Sequence, residues 1–325
     1  MMSTQIFIEV LRELKASATW VDVRTLVATN DNFGKAAPDD AQTQANCDNL
    51  LKPLIDRGEL VITQGFIGRE PGGKTTTLGR GGSDYSAALL AEVLNAKDVL
   101  IWTDVAGIYT TDPRIVPNAQ RIDTMSFAEA AEMATFGAKV LHPATLLPAV
   151  RSNIPVYVGS SKAPEAGGTW VTRDPQPRPT FRAIALRRDQ TLLTLSSLSM
   201  LHAQGFLANV FTILAKYKIS VDTITTSEVD KTGSASSGVE LLSPELLEEL
   251  SQYCTVKVDT GLSLVALIGN DLHLASGVAK RIFDTLEGYN IRMISYGAST
   301  NNICMLAMSD KANDVVRSLH KSLFE

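Results

Sequence analysis

The chain has 325 residues, of which 45% are hydrophobic and 20% charged, with a formal net charge of -5. These values are ordinary for a folded protein and exclude wholesale disorder, and the length suggests about two domains. No run reaches the ~18 apolar residues that span a membrane, and an acidic chain is a poor binder of nucleic acid. Neither a membrane nor a nucleic acid is therefore an expected partner.

The cysteines and the start of the chain predict the compartment. Cys47, Cys254 and Cys304 are far apart and odd in number, so they are expected to be buried thiols rather than a disulfide framework. Charged residues at Glu9 and Arg12 make the first residues unlike a signal peptide. A cytoplasmic location is the expectation.

The first half of the chain alternates between helical and strand-like patterns. The end of a helix is expected over 7–14, further helices are expected over 41–55, 83–94, 127–136 and 141–150, and strands are expected over 20–26, 59–67, 98–103 and 154–159. Ser126 and Glu129 form a Ser-x-x-Glu capping box ahead of the fourth helix. This alternation favours an α/β layer fold with a largely parallel sheet.

A proline-rich segment separates the two halves. Asp174 to Pro179 has three prolines in six residues, which is typical of a stiff linker. We therefore predict a first domain over 1–173 and a linker over 174–189.

The second half contains an internal repeat at an offset of 72 residues, at which Phe211 matches Phe283 and Tyr217 matches Tyr289. Each copy has the pattern of a helix, a turn and a strand, and the second copy continues into a strand and a helix, as in a ferredoxin-like unit. The predicted modules are 190–258 and 259–325. The first copy has no alternating apolar run after Val229, so this module is expected to lack one strand and to have a flexible loop there.

The segment from Thr75 to Asp84 is the first that points to chemistry. Gly79, Gly81 and Gly82 surround Arg80 directly before a predicted helix. Glycine lets a backbone approach an anion, a helix start offers free N–H groups, and a guanidinium fits a carboxylate or a phosphate. An ordinary turn capped by Ser83 or Asp84 is the alternative.

Two further segments carry polar residues at points where ligands bind in α/β folds. Trp102 to Arg114 follows a buried strand, and ligands bind beyond the carboxyl ends of such strands. Lys139 lies between two predicted helices, where it can reach a phosphate. His142, nearby, has no partner in motif spacing and is expected to be structural.

A P-loop string, Gly68 to Thr75, is also present. A P-loop needs a helix that starts at its lysine, whereas Lys74 is followed by three threonines and a glycine-rich run. The favoured interpretation is a hairpin-like turn, and a P-loop NTPase stays as an alternative.

Thr75–Asp84, Trp102–Arg114 and Phe136–Thr145 occur in this order and together resemble the aspartate kinases of the amino acid kinase family. The tandem repeat is similar to this family's paired ACT regulatory modules, most closely those of the lysine-sensitive type. The resemblance implies an α/β amino acid kinase-like three-layer sandwich followed by two ferredoxin-like α+β ACT modules. The family's opening motif, Lys-Phe-Gly-Gly-Thr-Ser, has no counterpart here. The first domain is therefore expected to lack its N-terminal segment.

The resemblance also implies an activity. These enzymes transfer the γ-phosphoryl group of ATP, with Mg²⁺, to the side-chain carboxylate of L-aspartate, toward lysine, threonine and methionine. Lysine inhibits the enzyme, and the ACT modules join subunits into a homodimer or a larger homo-oligomer. The alternative is an inactive, truncated kinase that serves as a lysine-binding or dimerising regulatory subunit.

Site residues follow from the matching motifs, as the resemblance implies them. No metal ligands are expected from the protein. The catalytic residues are Asp84 and Lys139. The aspartate contacts are Arg80, Gly81, Gly82 and Ser83. The ATP contacts are Thr103, Asp104, Tyr109, Arg114, Lys139 and Val140. The lysine contacts are Met200, His202, Gly205, Phe206, Leu207, Ser220, Val221, Asp222 and Glu228, at an interface between the ACT modules of two subunits.

Overall fold

The structure is a computed structural model that describes residues 2–138, 141, 143–196, 205–226, 230–235 and 242–325. The chain divides into two compact units, and the last change between them falls between Arg178 and Pro179, inside the proline-rich segment. The first unit comprises Met1–Ile108, Arg121–Thr135 and Lys139–Arg178. The second comprises Tyr109–Gln120, Phe136–Ala138 and Pro179–Glu325. No sequence pattern predicts that two short segments of the first half belong to the second unit.

Helices and strands alternate in the first unit, as predicted. In chain order the elements are α1 (Met2–Glu13), β1 (Ala18–Val21), α2 (Asp40–Leu50), α3 (Lys52–Asp56), β2 (Leu60–Thr63), β3 (Ile67–Arg69), β4 (Thr75–Thr77), α4 (Gly82–Leu94), β5 (Val99–Thr103), β6 (Thr124–Ser126), α5 (Phe127–Thr135), α6 (Pro143–Ser152), β7 (Val156–Ser160) and β8 (Gly168–Thr172). The predicted capping box is confirmed at the start of α5, where the Ser126 N–H donates to Glu129 Oε2 at 2.7 Å and the Glu129 N–H to Ser126 Oγ at 3.1 Å.

The sheets of the first unit are mixed rather than largely parallel. β1 pairs with β2 in parallel, and β3 and β4 form an antiparallel hairpin. The four-stranded sheet has the order β5-β7-β8-β6, with parallel outer pairs and an antiparallel central pair. Val23, Leu26, Cys47 and Leu89 belong to a buried cluster that packs α2 against α4. All three cysteines are buried and lie outside any disulfide, as predicted.

The second unit has two copies of one element order. The elements are β9 (Phe181–Ser196), α7 (Phe206–Lys216), β10 (Val221–Thr226), β11 (Asp230–Ala235), α8 (Pro244–Ser251), β12 (Thr255–Gly269), α9 (Val278–Thr285), β13 (Ile291–Ser295), β14 (Asn302–Met308) and α10 (Ala312–Phe324). The sheet order is β10-β11-β9-β12-β14-β13. The strands of the first copy therefore occur in the reverse order of those of the second, with β9 and β12 side by side at the centre of the sheet. We call the part built on β9 to α8 the first module and the part built on β12 to α10 the second module.

The prediction that the first module lacks a strand is wrong. The residues 230–235 form β11, which pairs with β10 on one side and with β9 on the other. This strand was missed because its sequence, Asp-Lys-Thr-Gly-Ser-Ala, has no apolar alternation. Strands pair through backbone N–H and C=O groups, which every non-proline residue has. A segment that lies between two strands can therefore form a strand without an apolar alternation in its sequence.

The predicted linker and module boundary also need correction. β9 begins at Phe181, so residues 181–189 are strand rather than linker. They pair with the second half of β12, from Leu264↔Arg187 to Gly269↔Phe181, and thereby supply the outer strand of the second module. The predicted boundary at 258/259 falls inside β12, because this strand serves the first module with its first half and the second module with its second half.

Candidate active site

The start of α4 is shaped by two glycines. Gly81 precedes the helix with φ 71°, in the left-handed region that favours glycine. A Cβ on Gly82 would lie 2.8 Å from the Phe66 ring, so the helix start packs too closely for any other residue. The Gly82 N–H donates to the Gly79 carbonyl at 3.1 Å, and the other N–H groups of the first turn have no acceptor within the helix. The sequence prediction of a glycine-rich turn opening a helix is confirmed.

The predicted aspartate contacts lie together at this helix start. Arg80 is exposed and makes no ion pair or hydrogen bond with the residues that the structure describes. Ser83 is exposed in the first turn of α4, beside the partly buried Asp84. Burial raises the pKa of the Asp84 carboxyl, and a hydrogen bond from Ser83 opposes that rise. The arrangement offers a guanidinium, a hydroxyl and backbone N–H groups to an anion.

The P-loop string does not form a P-loop. Gly68 lies in β3 and Thr75 in β4, and the two strands are joined by the turn that contains Lys74. In that turn the N–H groups of Gly72 and Lys74 donate to the Glu70 carboxylate, which lowers the pKa of that carboxyl. The next helix begins only at Gly82. The interpretation as a hairpin is confirmed, and Lys74 does not lie at the start of a helix, as the lysine of a P-loop does.

Two predicted ATP contacts lie where β5 ends. The Thr103 carbonyl accepts from the Ser161 N–H at 2.8 Å, and Thr103 Oγ1 donates to Asp104 Oδ1 at 3.2 Å. Asp104 is exposed. Because β5 and β7 are parallel, Thr103 and Ser160 end their strands at the same edge of the sheet, which is where ligands bind in such folds.

Two other predicted ATP contacts belong to the second unit. Tyr109 is partly buried, and Arg114 is exposed on the same segment. The Arg114 guanidinium forks onto the Asp112 carboxylate, with Nε 3.0 Å from Oδ1 and Nη2 2.7 Å from Oδ2, and this pair lowers the pKa of Asp112. Two of the guanidinium's three nitrogens therefore contact an internal carboxylate. Lys139 and Val140 lie outside the described residues, and their roles stay predictions.

The predicted lysine contacts fall into two groups on one chain. Gly205, Phe206 and Leu207 begin α7, whereas Ser220 and Val221 follow its other end. The helix has 11 residues, which separates the groups by about 16 Å at ~1.5 Å per residue. A site shared by two copies of the chain can use both groups, whereas a small ligand on one copy would reach only one of them. For Asp222 only the backbone is described, in β10. Met200, His202 and Glu228 lie outside the described residues.

Sequence reasoning missed a buried histidine. His320 of α10 is fully buried, and its Nε2 lies 2.9 Å from Thr110 Oγ1. The sequence marks it only as one of four histidines without zinc spacing. The two residues are 210 positions apart, so no local pattern could have joined them.

The described part of the chain shows no group of three or more His, Cys, Asp or Glu side chains that could hold a metal ion. Within the same ranges, no helix is both long enough and apolar enough to cross a bilayer.

The comparisons with known proteins are consistent with this geometry. The amino acid kinase family model matches residues 1–160, and an ACT domain model matches 265–323. The chain is 62% identical to the lysine-sensitive aspartokinase 3 of Escherichia coli over 331 residues, covering all of this chain and 74% of that protein. The structure of E. coli aspartokinase III with aspartate and ADP, in the R-state, superposes with a TM-score of 0.88 at 61% identity, over 100% of this chain and 74% of that one. The T-state structure with lysine and aspartate gives 0.85 at 61% identity, over 100% of this chain and 73% of that one.

Proposed function

This chain belongs to the aspartokinase family, and we propose that it transfers the γ-phosphoryl group of ATP to the side-chain carboxylate of L-aspartate. The observation that carries the proposal is the start of α4, where the exposed Arg80 and Ser83 side chains and the N–H groups of the first turn lie within a few residues of one another and can bind an anion. A relative that is 62% identical, the E. coli aspartokinase III, binds aspartate and ADP in a structure of the same fold. In the reaction a carboxylate oxygen of aspartate bonds to the γ-phosphorus, the bond to the β–γ bridging oxygen breaks, and ADP leaves.

Arg80, Gly81, Gly82 and Ser83 would bind the aspartate. A carboxylate accepts two parallel N–H bonds from a guanidinium, and the helix start adds N–H groups and the positive end of its dipole. Because Gly81 and Gly82 have no side chains, the substrate can approach the backbone. Asp84 would keep Ser83 oriented through their hydrogen bond and so help to organise the transferring group.

Thr103, Asp104, Tyr109 and Arg114 would contact the nucleotide, with Lys139 on its phosphates and Val140 beside it. Phosphoryl transfer is achieved mainly by positioning and by charge stabilisation, which these groups supply. Mg²⁺ would neutralise phosphate charge. Such an ion would be held chiefly by the phosphates and by water, as Mg²⁺ commonly is beside a nucleotide.

Lysine would regulate this activity at the first module. The support is the T-state relative that holds lysine and aspartate, together with the split of Phe206 and Ser220 between the two ends of α7. A site completed by a second subunit requires at least a homodimer. If lysine binds one arrangement of the subunits more tightly, it shifts the population toward that arrangement. A cytoplasmic location completes the proposal, since three cysteines outside any disulfide fit a reducing compartment.

The test is aspartyl-phosphate formation by the full chain, trapped as the hydroxamate. Arg80→Ala should raise the KM for aspartate about tenfold to a hundredfold, because a charge-assisted bond contributes about 1.5–3 kcal/mol. The KM for ATP should stay unchanged. Arg80→Lys should be intermediate, because an ammonium group cannot bind a carboxylate with a planar fork.

Lys74→Ala is the matched control, since it removes a cation from the β3–β4 turn and should change neither KM. Loss of ATP binding in that variant would overturn the site assignment in favour of the P-loop. A folded wild-type chain that forms no product would overturn the proposed activity. Lysine binding by such a chain would then support the alternative of a regulatory subunit.

A further inference from the structure

The segment Tyr109–Gln120 carries two of the proposed ATP contacts, Tyr109 and Arg114, and we call it the nucleotide segment. Its two ends are closed by a pair of hydrogen bonds. The Thr110 N–H donates to the Gln120 carbonyl at 2.8 Å, and the Gln120 N–H donates to Thr110 Oγ1 at 3.0 Å. Thr110 is therefore the residue that holds the base of the nucleotide segment.

The nucleotide segment is packed into the second module. The Ile184 N–H, in the part of β9 that forms the outer strand of the second module, donates to the Thr110 carbonyl at 2.7 Å, and Arg317 Nε of α10 donates to the Ile115 carbonyl at 3.1 Å. Ile115 and Val116 lie in the same buried cluster as Leu319 of α10. Apolar packing and the Arg317 hydrogen bond thus join this segment to the C-terminal helix, and a backbone hydrogen bond joins it to β9.

His320 adds a directional contact at the base of the segment. Its ring is fully buried, stacks on Phe324 with centroids 5.0 Å apart, and has Nε2 2.9 Å from Thr110 Oγ1. Its Nδ1 is buried without a hydrogen bond and lies 3.4 Å from Glu325 Oε1. Since the Thr110 hydroxyl already accepts from Gln120, it can donate its single proton to Nε2. A buried imidazole is costly unless such contacts satisfy it, so an apolar side chain would be the simpler core residue here.

We propose that the Thr110–His320 hydrogen bond makes α10 of the second module a positioning element for nucleotide binding. His320 is a positioning residue, because it acts on Tyr109 and Arg114 only through Thr110. Any rearrangement of the second module that moves α10 then changes the base of the nucleotide segment, which couples the module to ATP affinity. The inference rests on the proposed function in taking Tyr109 and Arg114 as ATP contacts.

The experiment measures the affinity of the full chain for MgADP by titration calorimetry in four variants. His320→Leu removes only this bond, and Thr110→Val removes it together with the bond that Thr110 accepts from Gln120. His320→Leu should weaken binding about threefold to tenfold, as expected for one buried hydrogen bond, and Thr110→Val should weaken it at least as much. Their effects should not add in the double variant, because both remove the same contact. Thr110→Ser keeps the hydroxyl and should restore the wild-type affinity. Thr110→Val and Thr110→Ser keep the test valid if His320→Leu does not fold.

Ser318→Ala is the matched control for a merely structural effect. It removes a bond of the same length from the same helix, the 2.9 Å contact of Ser318 Oγ with the Tyr289 hydroxyl, without touching the nucleotide segment. Its melting temperature should fall as in the test variants while its MgADP affinity stays within about twofold of wild type. Hydrogen exchange should show faster exchange of the Thr110 and Ile184 amides in Thr110→Val and not in Ser318→Ala.

The inference is overturned if wild type binds MgADP and the test variants bind it as Ser318→Ala does, or if the two single effects add. A folded wild-type chain that binds no MgADP instead overturns the nucleotide assignment, and the inference falls with it. The two failures are therefore distinct.

Discussion

The two modules of the second unit share a topology but differ in how their central strands are built. In the second module, β14 has five consecutive buried residues, from Ile303 to Ala307. In the first module, β11 holds the equivalent place with the sequence Asp-Lys-Thr-Gly-Ser-Ala. One strand is specified by its side chains and the other by the two strands on either side of it.

The helices differ less than the strands. Gly205 and Gly277 precede α7 and α9 at the repeat offset of 72 residues, with φ 84° and φ 79°. Tyr217 and Tyr289 follow these helices at the same offset, but their hydroxyls contact different partners, Glu249 at 2.8 Å and Ser318 Oγ at 2.9 Å. The repeat therefore conserves backbone geometry and the positions of aromatic residues, while the polar partners vary.

The largest expected effect on stability comes from a substitution in β14, the strand that is specified by its side chains. Met305 is fully buried in the core of the second module, so Met305→Ala should lower the free energy of unfolding by about 2–5 kcal/mol. Urea denaturation measures it, with Met308→Ala at the exposed end of β14 as the control. If Met305→Ala lowers the free energy of unfolding by less than Met308→Ala does, β14 is not held in place by its buried side chains.

A smaller effect on stability is expected from a substitution in β11, the strand that is held by backbone pairing. Gly233→Pro removes an N–H from β11, whose residue 233 pairs with Leu193 and with Ile224, and should cost about 1–3 kcal/mol. Hydrogen exchange should show lost protection in β10 while β14 keeps its own. Gly233→Ala keeps the N–H and is the matched control. If Gly233→Ala loses as much hydrogen-exchange protection in β10 as Gly233→Pro does, backbone pairing does not hold β11 in the sheet.

The smallest expected effect is on the pH dependence of stability, and it concerns the contacts of Tyr217 and Tyr289. Lys216 and Tyr217 donate to Glu249 and hold the pKa of that carboxyl below its usual 4.5. A lowered carboxyl pKa in the folded state contributes stability above pH 4.5, and this contribution is lost as the pH falls through the folded-state value. The stability difference between wild type and Glu249→Gln should therefore be constant near neutrality and shrink below pH 4.5.

Urea midpoints at a series of acidic pH values measure this difference. Ser318→Ala, at the equivalent contact of the second module, is the control and should show a difference from wild type that does not change over the same range. A Glu249→Gln difference that is equally flat would contradict the assignment of the charged contact.

Local patterns in the sequence were sufficient for much of the fold and the candidate site. The Ser126–Glu129 capping box and the glycines before α4 act within one turn of helix, so residues a few positions apart reveal them. The residues after Lys74, which are poor helix formers, likewise made a P-loop the less favoured interpretation, and the helix start at Gly82 then excluded it. The three ordered segments identified the family, which the 62% identity to an aspartokinase then confirmed.

The sequence by itself determined the α/β class, the starts of α4 and α5, the internal repeat and the residues offered at the start of α4. Only the tertiary structure decided that residues 230–235 are a strand, that Phe181 begins a strand instead of continuing a linker, and that Thr110 meets His320. The physical reason is the range of the interactions. A cap or a helical face involves neighbours in the chain and leaves a pattern, whereas backbone pairing and distant side-chain contacts can join almost any residues that the fold brings together.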